Sequence, residues 1–189
     1  VKGWCTENAQ GITWNGVQVH GGMGFIEETG AAQYMRDARI VTIYEGTTAI
    51  QANDLIGRKT AKEGGKSMQK LLADIAETRA SLDKSGNPTL TALADSLGDG
   101  MAALDEATTW LLANYDANPQ AAAAGSVPFL KLTGIVVGGW LMARSAQIAA
   151  SRTGEADGGF YKAKLATIGY FAQHVIPEAN FYRDAIVGG

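Results

Sequence analysis

Two short segments hold the residues whose types and spacing could do chemistry. In Ile43-Tyr44-Glu45-Gly46-Thr47-Thr48 a single carboxylate, Glu45, stands in an apolar frame, and Gly46 leaves room for a ligand to approach the backbone. A carboxylate drawn out of water holds its proton more tightly, so a Glu in a dry setting can serve as a general base near neutral pH. Without such a setting, a lone Glu in an irregular segment is a solvated loop residue. The second segment, Gln18-Val19-His20-Gly21-Gly22, places two glycines after a helical pattern. By itself a Gly-Gly there is a C-cap with a turn, and it lacks the strand and the Gly-Lys-Ser/Thr of a phosphate loop. His20 reads as a surface or packing residue with no acid-base role. Thr47 and Thr48 are N-cap types. Arg36, Asp37 and Arg39 read as ion pairing and helix-end fixing, and Cys5 as a small buried hydrophobe.

The elements that must position these residues are helices. Apolar residues recur with a period near 3.6 and alternation is nearly absent, so the chain is expected to be all-α. Val1, Trp4 with Cys5, Ala9, Ile12, Gly16 and Val19 form one stripe that ends at Gly21-Gly22. Thr29 is expected to cap a short helix through Arg39, an irregular stretch runs from Ile40 to Gly46, and Thr47 or Thr48 caps a helix to about Lys59. After the break at Gly64-Gly65, Met68, Leu71, Leu72, Ile75 and Leu82 predict an amphipathic helix closed near Ser85-Gly86. Asn87-Pro88 then starts a helix of about seven turns, cap followed by proline at the first helical position. Asn118 to Ser126 reads as a loop or frayed start and Val127 to Arg152 as the most apolar helix, with Gly138-Gly139 marking close packing. A last long helix carries Phe160, Leu165, Ile168, Phe171 and Val175 and stops at Pro177; Trp110, Trp140, Tyr170 and Phe171 are expected in the core. Residues 66 to 176 thus predict a four-helix antiparallel bundle.

Composition narrows the chemistry. The 189 residues are 46% hydrophobic, enough for a sizeable core, and Lys plus Arg (16) against Asp plus Glu (19) leave a net charge of -3. A phosphate-backbone partner would demand a dense cationic face, so nucleic acid is excluded. One Cys allows no internal disulfide, and with two His there is no basis for a zinc site of soft ligands; no acidic cluster suggests another metal. The apolar run Phe129 to Ala143 is interrupted by Lys131 and falls short of the ~20 residues that span a bilayer, so no membrane segment is expected. The start Val1-Lys2-Gly3-Trp4, without Met, signal pattern or capping residue, suggests a piece of something longer.

The runs Gln18-Val19-His20-Gly21-Gly22-Met23-Gly24-Phe25, Tyr34-Met35-Arg36-Asp37-Ala38-Arg39 and Ile43-Tyr44-Glu45-Gly46-Thr47-Thr48-Ala49-Ile50-Gln51 closely resemble the C-terminal signature of the acyl-CoA dehydrogenases in order and spacing. The later bundle resembles the helical domain appended in a bacterial subgroup, and Trp4-Cys5-Thr6-Glu7 with Thr47 to Lys59 is similar to the subgroup that includes methylthiopropionyl-CoA dehydrogenases. The resemblance implies residues 1-62 as the end of a catalytic helical domain and 63-189 as an appended bundle. It implies FAD as cofactor and an acyl-CoA thioester as substrate, with Glu45 taking the α-proton and the flavin the β-hydride. Gln18, His20, Gly21 and Gly22 would contact the ADP portion of an FAD bound mainly by the neighbouring subunit, where paired glycines let N-H groups face a pyrophosphate. Thr47 and Thr48 would touch the flavin, Tyr44 and Gly46 the substrate. Ala49 departs from the Gln or Glu common among relatives, so contact at that position is through backbone alone.

The same resemblance implies an electron-transfer flavoprotein as electron acceptor, a homo-oligomer with a dimer favoured over a tetramer, and a bacterial cytoplasmic enzyme. The N-terminal helical and middle β domains of that family have no counterpart in these residues, so the chain alone is expected to be inactive. Two other readings stay open from the residues: a helical oligomerisation module without chemistry, and part of an acyl-CoA oxidase, which shares the Tyr-Glu-Gly signature.

Overall fold

The computed structural model describes residues 1–188. The expectation of an all-α chain is met: ten α-helices and three short helical turns follow one another, with no strand among the described residues. The first group is α1 (Lys2–Val19), α2 (Gly22–Phe25), a 3-10 turn (Glu27–Thr29), α3 (Ala31–Ile40) and α4 (Thr48–Gly57). The second is α5 (Lys66–Asp83), α6 (Pro88–Asn114), α7 (Pro119–Ala124), α8 (Ser126–Arg152), α9 (Gly158–Tyr170), a π-helical turn (Phe171–Val175) and α10 (Glu178–Val187).

Punctuation follows local chemistry in several places. Gly64 and Gly65 have φ of 59° and 78°, a left-handed pair that stops the 3-10 turn Ala61–Glu63 and turns the chain into α5. At α6 the Asn87 side chain accepts a hydrogen bond from the Thr89 N-H at 3.0 Å, and Pro88 occupies the first helical position, where its missing N-H costs nothing. Asn118 does the same for α7, accepting from Ala121 N-H at 3.3 Å, so the segment expected as a loop is a short capped helix.

The bundle core contains Ile75, Leu82, Leu97, Leu104, Phe129, Leu132, Ile135 and Val136, all essentially sealed from solvent. α5 and α6 form an antiparallel hairpin, with Arg79 Nε donating to Ala94 O at 3.0 Å. α8 runs alongside, tied to α5 by Trp140 Nε1–H donating to Thr78 Oγ1 at 2.8 Å and Gln147 Nε2 donating to Ser81 Oγ at 2.8 Å. The expected close packing at Gly138-Gly139 is present: a Cβ on Gly138 would lie 3.0 Å from the Phe171 ring, and one on Gly139 3.0 Å from Ile176 Cδ1.

Four readings need correction. The helix carrying Phe160 to Val175 ends in a turn at Ile176-Pro177 as expected, but it is not the last: Pro177 caps a further helix, α10, whose buried Ala179 and Ile186 pack on α6 and α8 and complete the bundle. Tyr170 is exposed rather than core, on a side of α9 that also turns Phe160 outward; Trp110, Trp140 and Phe171 are half-buried against the core. The apolar run in α8 sits in a helix of 27 residues, long and apolar enough by length and composition to cross a membrane. Its buried Leu132, Ile135, Val136, Ala143 and Ala146 meet other helices, as befits the central helix of a bundle. Finally, Thr29 does not cap α3. It closes the 3-10 turn and donates its hydroxyl to Met23 O at 2.8 Å, while Gly30, at φ 76°, takes the cap position.

Candidate functional site

The segment 41–46 is a turn held between α1 and α4. Glu45 has φ 55°, the only non-glycine residue with positive φ among the described residues, and Gly46 follows at φ 91°. Two consecutive left-handed residues reverse the chain sharply and leave both carbonyls without helical partners. Side chains supply them. Gln51 Nε2, from α4, donates to Glu45 O at 3.0 Å, and Lys2 Nζ, from the first residue of α1, donates to Gly46 O at 2.6 Å. Lys2 also lies 5.9 Å over the Tyr44 ring. A Cβ on Gly46 would sit 3.1 Å from Gln51 Nε2 and 3.2 Å from Ile50, so glycine is what allows this approach.

Glu45 and Tyr44 are both exposed, and the apolar wall expected around Glu45 is not built by its own neighbours, since Ile43 is exposed as well. Thr47 occupies the N-cap position of α4 but its side chain makes no capping bond, and the Thr48 hydroxyl donates to Glu7 instead. This corrects the expectation of a threonine side-chain cap. The first-turn N-H groups of α4 therefore keep their hydrogen-bonding capacity and partial positive charge. α4 also stops at Gly57 rather than Lys59, where Lys59 Nζ (2.7 Å) and Arg58 Nη1 (3.1 Å) converge on Asp54. Asp54 Oδ1 is buried and, despite the nearby Arg58, has no aligned hydrogen bond. Lys59, above all, holds the Asp54 carboxyl below its usual range.

The Gln18-Gly22 segment lies at the other end of α1. Gly21 (φ 60°, ψ -144°) donates to Gln18 O at 3.0 Å and ends the helix, and a Cβ on Gly21 or Gly22 would meet nothing within 4 Å. The backbone here is open to a ligand on its outer side. His20 is exposed and its Nδ1 is 2.8 Å from Gly16 O, which leaves Nε2 outward. Lys2 and Gln18 are separated by about 24 Å along the helix at 1.5 Å per residue. The fold thus brings Tyr44, Glu45, Gly46, Thr47 and Thr48 together and holds Gln18, His20, Gly21 and Gly22 apart from them.

Arg36 makes a two-pronged pair with Glu27, both bonds 2.8 Å, rather than with Asp37, and the pairing raises the guanidinium pKa further. Arg39 Nη1 donates to Thr42 Oγ1 and ties α3 to the turn that carries Glu45. Cys5 is exposed, which corrects its reading as a buried hydrophobe. Of the α1 stripe, Trp4, Ala9 and Gly16 are half-buried, Trp4 against Gly134, whereas Val1, Cys5, Ile12 and Val19 are exposed, Val19 by 85%. Met23, Phe25, Tyr34, Met35 and Ile40 extend the exposed apolar surface over α2 and α3. Lys2 and Gln51 carry no local sequence signal as site residues; only the fold shows their partners.

Comparison with known proteins accounts for both groups of helices. Residues 1–60 match the model described as acyl-CoA dehydrogenase, C-terminal domain. Residues 66–189 match the model described as acetyl-CoA dehydrogenase C-terminal like. The chain belongs to the acyl-CoA dehydrogenase family. It is 48% identical over 183 residues to the 3-methylmercaptopropionyl-CoA dehydrogenase of Ruegeria pomeroyi, covering 95% of this chain and 31% of that protein. It is 35% identical over 199 residues to a broad-specificity linear acyl-CoA dehydrogenase of Mycobacterium tuberculosis, covering 98% and 32%. The short-chain specific acyl-CoA dehydrogenase of Rattus norvegicus is 50% identical over 47 residues, 25% of this chain and 11% of that protein. The chain spans about a third of the length of the first two relatives.

Proposed function

We propose that this chain supplies the catalytic base and part of the cofactor site of an FAD-dependent acyl-CoA dehydrogenase. The observation that carries the reading is Glu45, exposed on a left-handed turn whose two carbonyls are held by neighbouring helices, in a member of this family. The Glu45 carboxylate takes the proton from the α-carbon of an acyl-CoA thioester, a hydride leaves the β-carbon, and a C=C bond forms between them. FAD, when bound, supplies the acceptor for that hydride. Tyr44 and Gly46 border the substrate beside Glu45.

The residues fit FAD in two places. Gly21 and Gly22 present open backbone with no side chain in the way, flanked by Gln18 and the outward edge of His20. The uncapped first turn of α4 presents N-H groups beside Thr47 and Thr48. The distance between the places supports contacts to two different cofactors, one per subunit, and hence a homodimer. The apolar surface of α1 to α3 is large for a chain that works alone, which supports burial against other parts of the enzyme. An electron-transfer flavoprotein as acceptor and a place in the bacterial cytoplasm complete the proposal. Among acyl groups the thioether chain of 3-methylmercaptopropionyl-CoA is the first to test, because the relative so named shares 48% identity.

The test is anaerobic mixing of acyl-CoA with the FAD-loaded enzyme that carries this chain. Glu45→Gln should retain FAD and lose flavin bleaching. Bleaching at the wild-type rate would place the base elsewhere. For the 189-residue chain by itself we expect no turnover, and tight FAD binding with turnover would contradict that expectation.

A further inference from the structure

We propose that Lys2 and Gln51 are positioning residues for Glu45, each gripping one of the two consecutive carbonyls of its turn so that the carboxylate leaves the backbone in a single direction. The inference rests on the reading of Glu45 as the base. A left-handed conformation is disfavoured for a residue with a Cβ, so an unsupported turn would relax and swing the Glu45 side chain away. Two donors oppose that. Gln51 Nε2 bonds Glu45 O at 3.0 Å, and the Lys2 ammonium bonds Gly46 O at 2.6 Å. A charged donor makes the stronger bond of the two.

Both donors stand on backbone that is itself fixed. Lys2 begins α1, whose next two residues are wedged against α8: a Cβ on Gly3 would lie 2.8 Å from Leu130 Cδ1, and one on Gly134 would lie 2.3 Å from the Trp4 ring. Gln51 is followed on α4 by buried Ala52 and by Ile56 one turn later. Lys2 also covers the Tyr44 ring, so one side chain touches both neighbours of Glu45. The bundle thereby reaches the catalytic turn mechanically, through α8, Trp4 and Lys2. The Gln51 grip is on the Glu45 carbonyl alone, so its loss alters the aim of Glu45, whereas Lys2 also bears on Tyr44 and Gly46, which border the substrate in the proposed site.

The experiment uses the FAD-loaded enzyme. Lys2→Met and Gln51→Leu should each lower kcat by about 10- to 100-fold, the scale of an ångström-sized misplacement of a reacting group. KM for acyl-CoA should change less than about 3-fold in Gln51→Leu, and Lys2→Arg, which keeps a charged donor, should return kcat to within about 3-fold of wild type. Glu45→Gln is measured alongside. If Glu45→Gln is inactive while Lys2→Met and Gln51→Leu both turn over at the wild-type rate, the positioning role is overturned and Glu45 stands as base. If Glu45→Gln itself turns over normally, the base is wrong and the positioning role falls with it. FAD content and melting temperature guard against simple unfolding: should Lys2→Met lose flavin, Gln51→Leu decides. A fall in kcat that only matches lost FAD in both variants overturns the proposal.

Discussion

Glu45 holds a backbone conformation that costs a residue with a Cβ roughly 1–2 kcal/mol. That cost is removed by glycine, and the Gln51 and Lys2 bonds, which go to backbone oxygens, survive the change. Glu45→Gly should therefore raise stability by about 1 kcal/mol, measured by denaturant unfolding, while abolishing activity. A clear loss of stability would mean the carboxylate contributes contacts that the turn needs. The residue identities of this turn were plain in the sequence because the Tyr-Glu-Gly-Thr run is distinctive; its hand was not, since nothing local in Glu45 favours positive φ. Cys5 and Thr29 were misread for a related reason. Each has the right type for its expected role, but burial and capping depend on what lies opposite, and α1 is left uncovered there while Gly30 takes the cap.

Helix starts separate two kinds of cap. Asn87 bonds Thr89 N-H, so Asn87→Ala should cost about 1 kcal/mol, whereas Thr47, which makes no capping bond, should give less than about 0.5 kcal/mol as Thr47→Ala. Equal losses in thermal or denaturant unfolding would show that Thr47 does cap. At the end of α4 the depressed Asp54 pKa stabilises the fold above the ordinary carboxylate range and ceases to do so as pH falls through the folded value. The penalty of Asp54→Asn should thus shrink below about pH 4, read from melting curves across pH. Glycine in mid-helix usually argues for Ala as a stabiliser, but at Gly134 the new methyl would strike the Trp4 ring at 2.3 Å. Gly134→Ala should cost about 1–3 kcal/mol and loosen α1 from α8, monitored by Trp fluorescence. Stripes and breaks from α5 to α8 were readable because the apolar period and the Gly64-Gly65 and Asn87-Pro88 signals agree. The π-helical turn is not, because one extra residue in a turn barely alters that period, and α10 is missed because the proline that marks the end of one helix here also begins the next.

Over the whole molecule the two groups of helices carry different surfaces. The bundle buries a continuous apolar core and exposes scattered residues such as Ile148, Phe160 and Phe181, while α1 to α3 and the Glu45 turn expose Ile12, Val19, Phe25, Tyr34 and Ile43. Sequence periodicity alone assigns the α1 stripe to a core; it takes the structure to show that the described residues leave most of it uncovered. The uncovered face and the separation of Gln18-Gly22 from Glu45 are what the proposed cofactor and subunit contacts would explain together. The central claim is that Glu45 moves the α-proton, and proton movement can be followed apart from flavin reduction. Acyl-CoA incubated in D2O with the FAD-loaded enzyme should gain deuterium at its α-carbon with wild type and none above background with Glu45→Gln at equal FAD content. Exchange by Glu45→Gln at the wild-type rate would contradict the account.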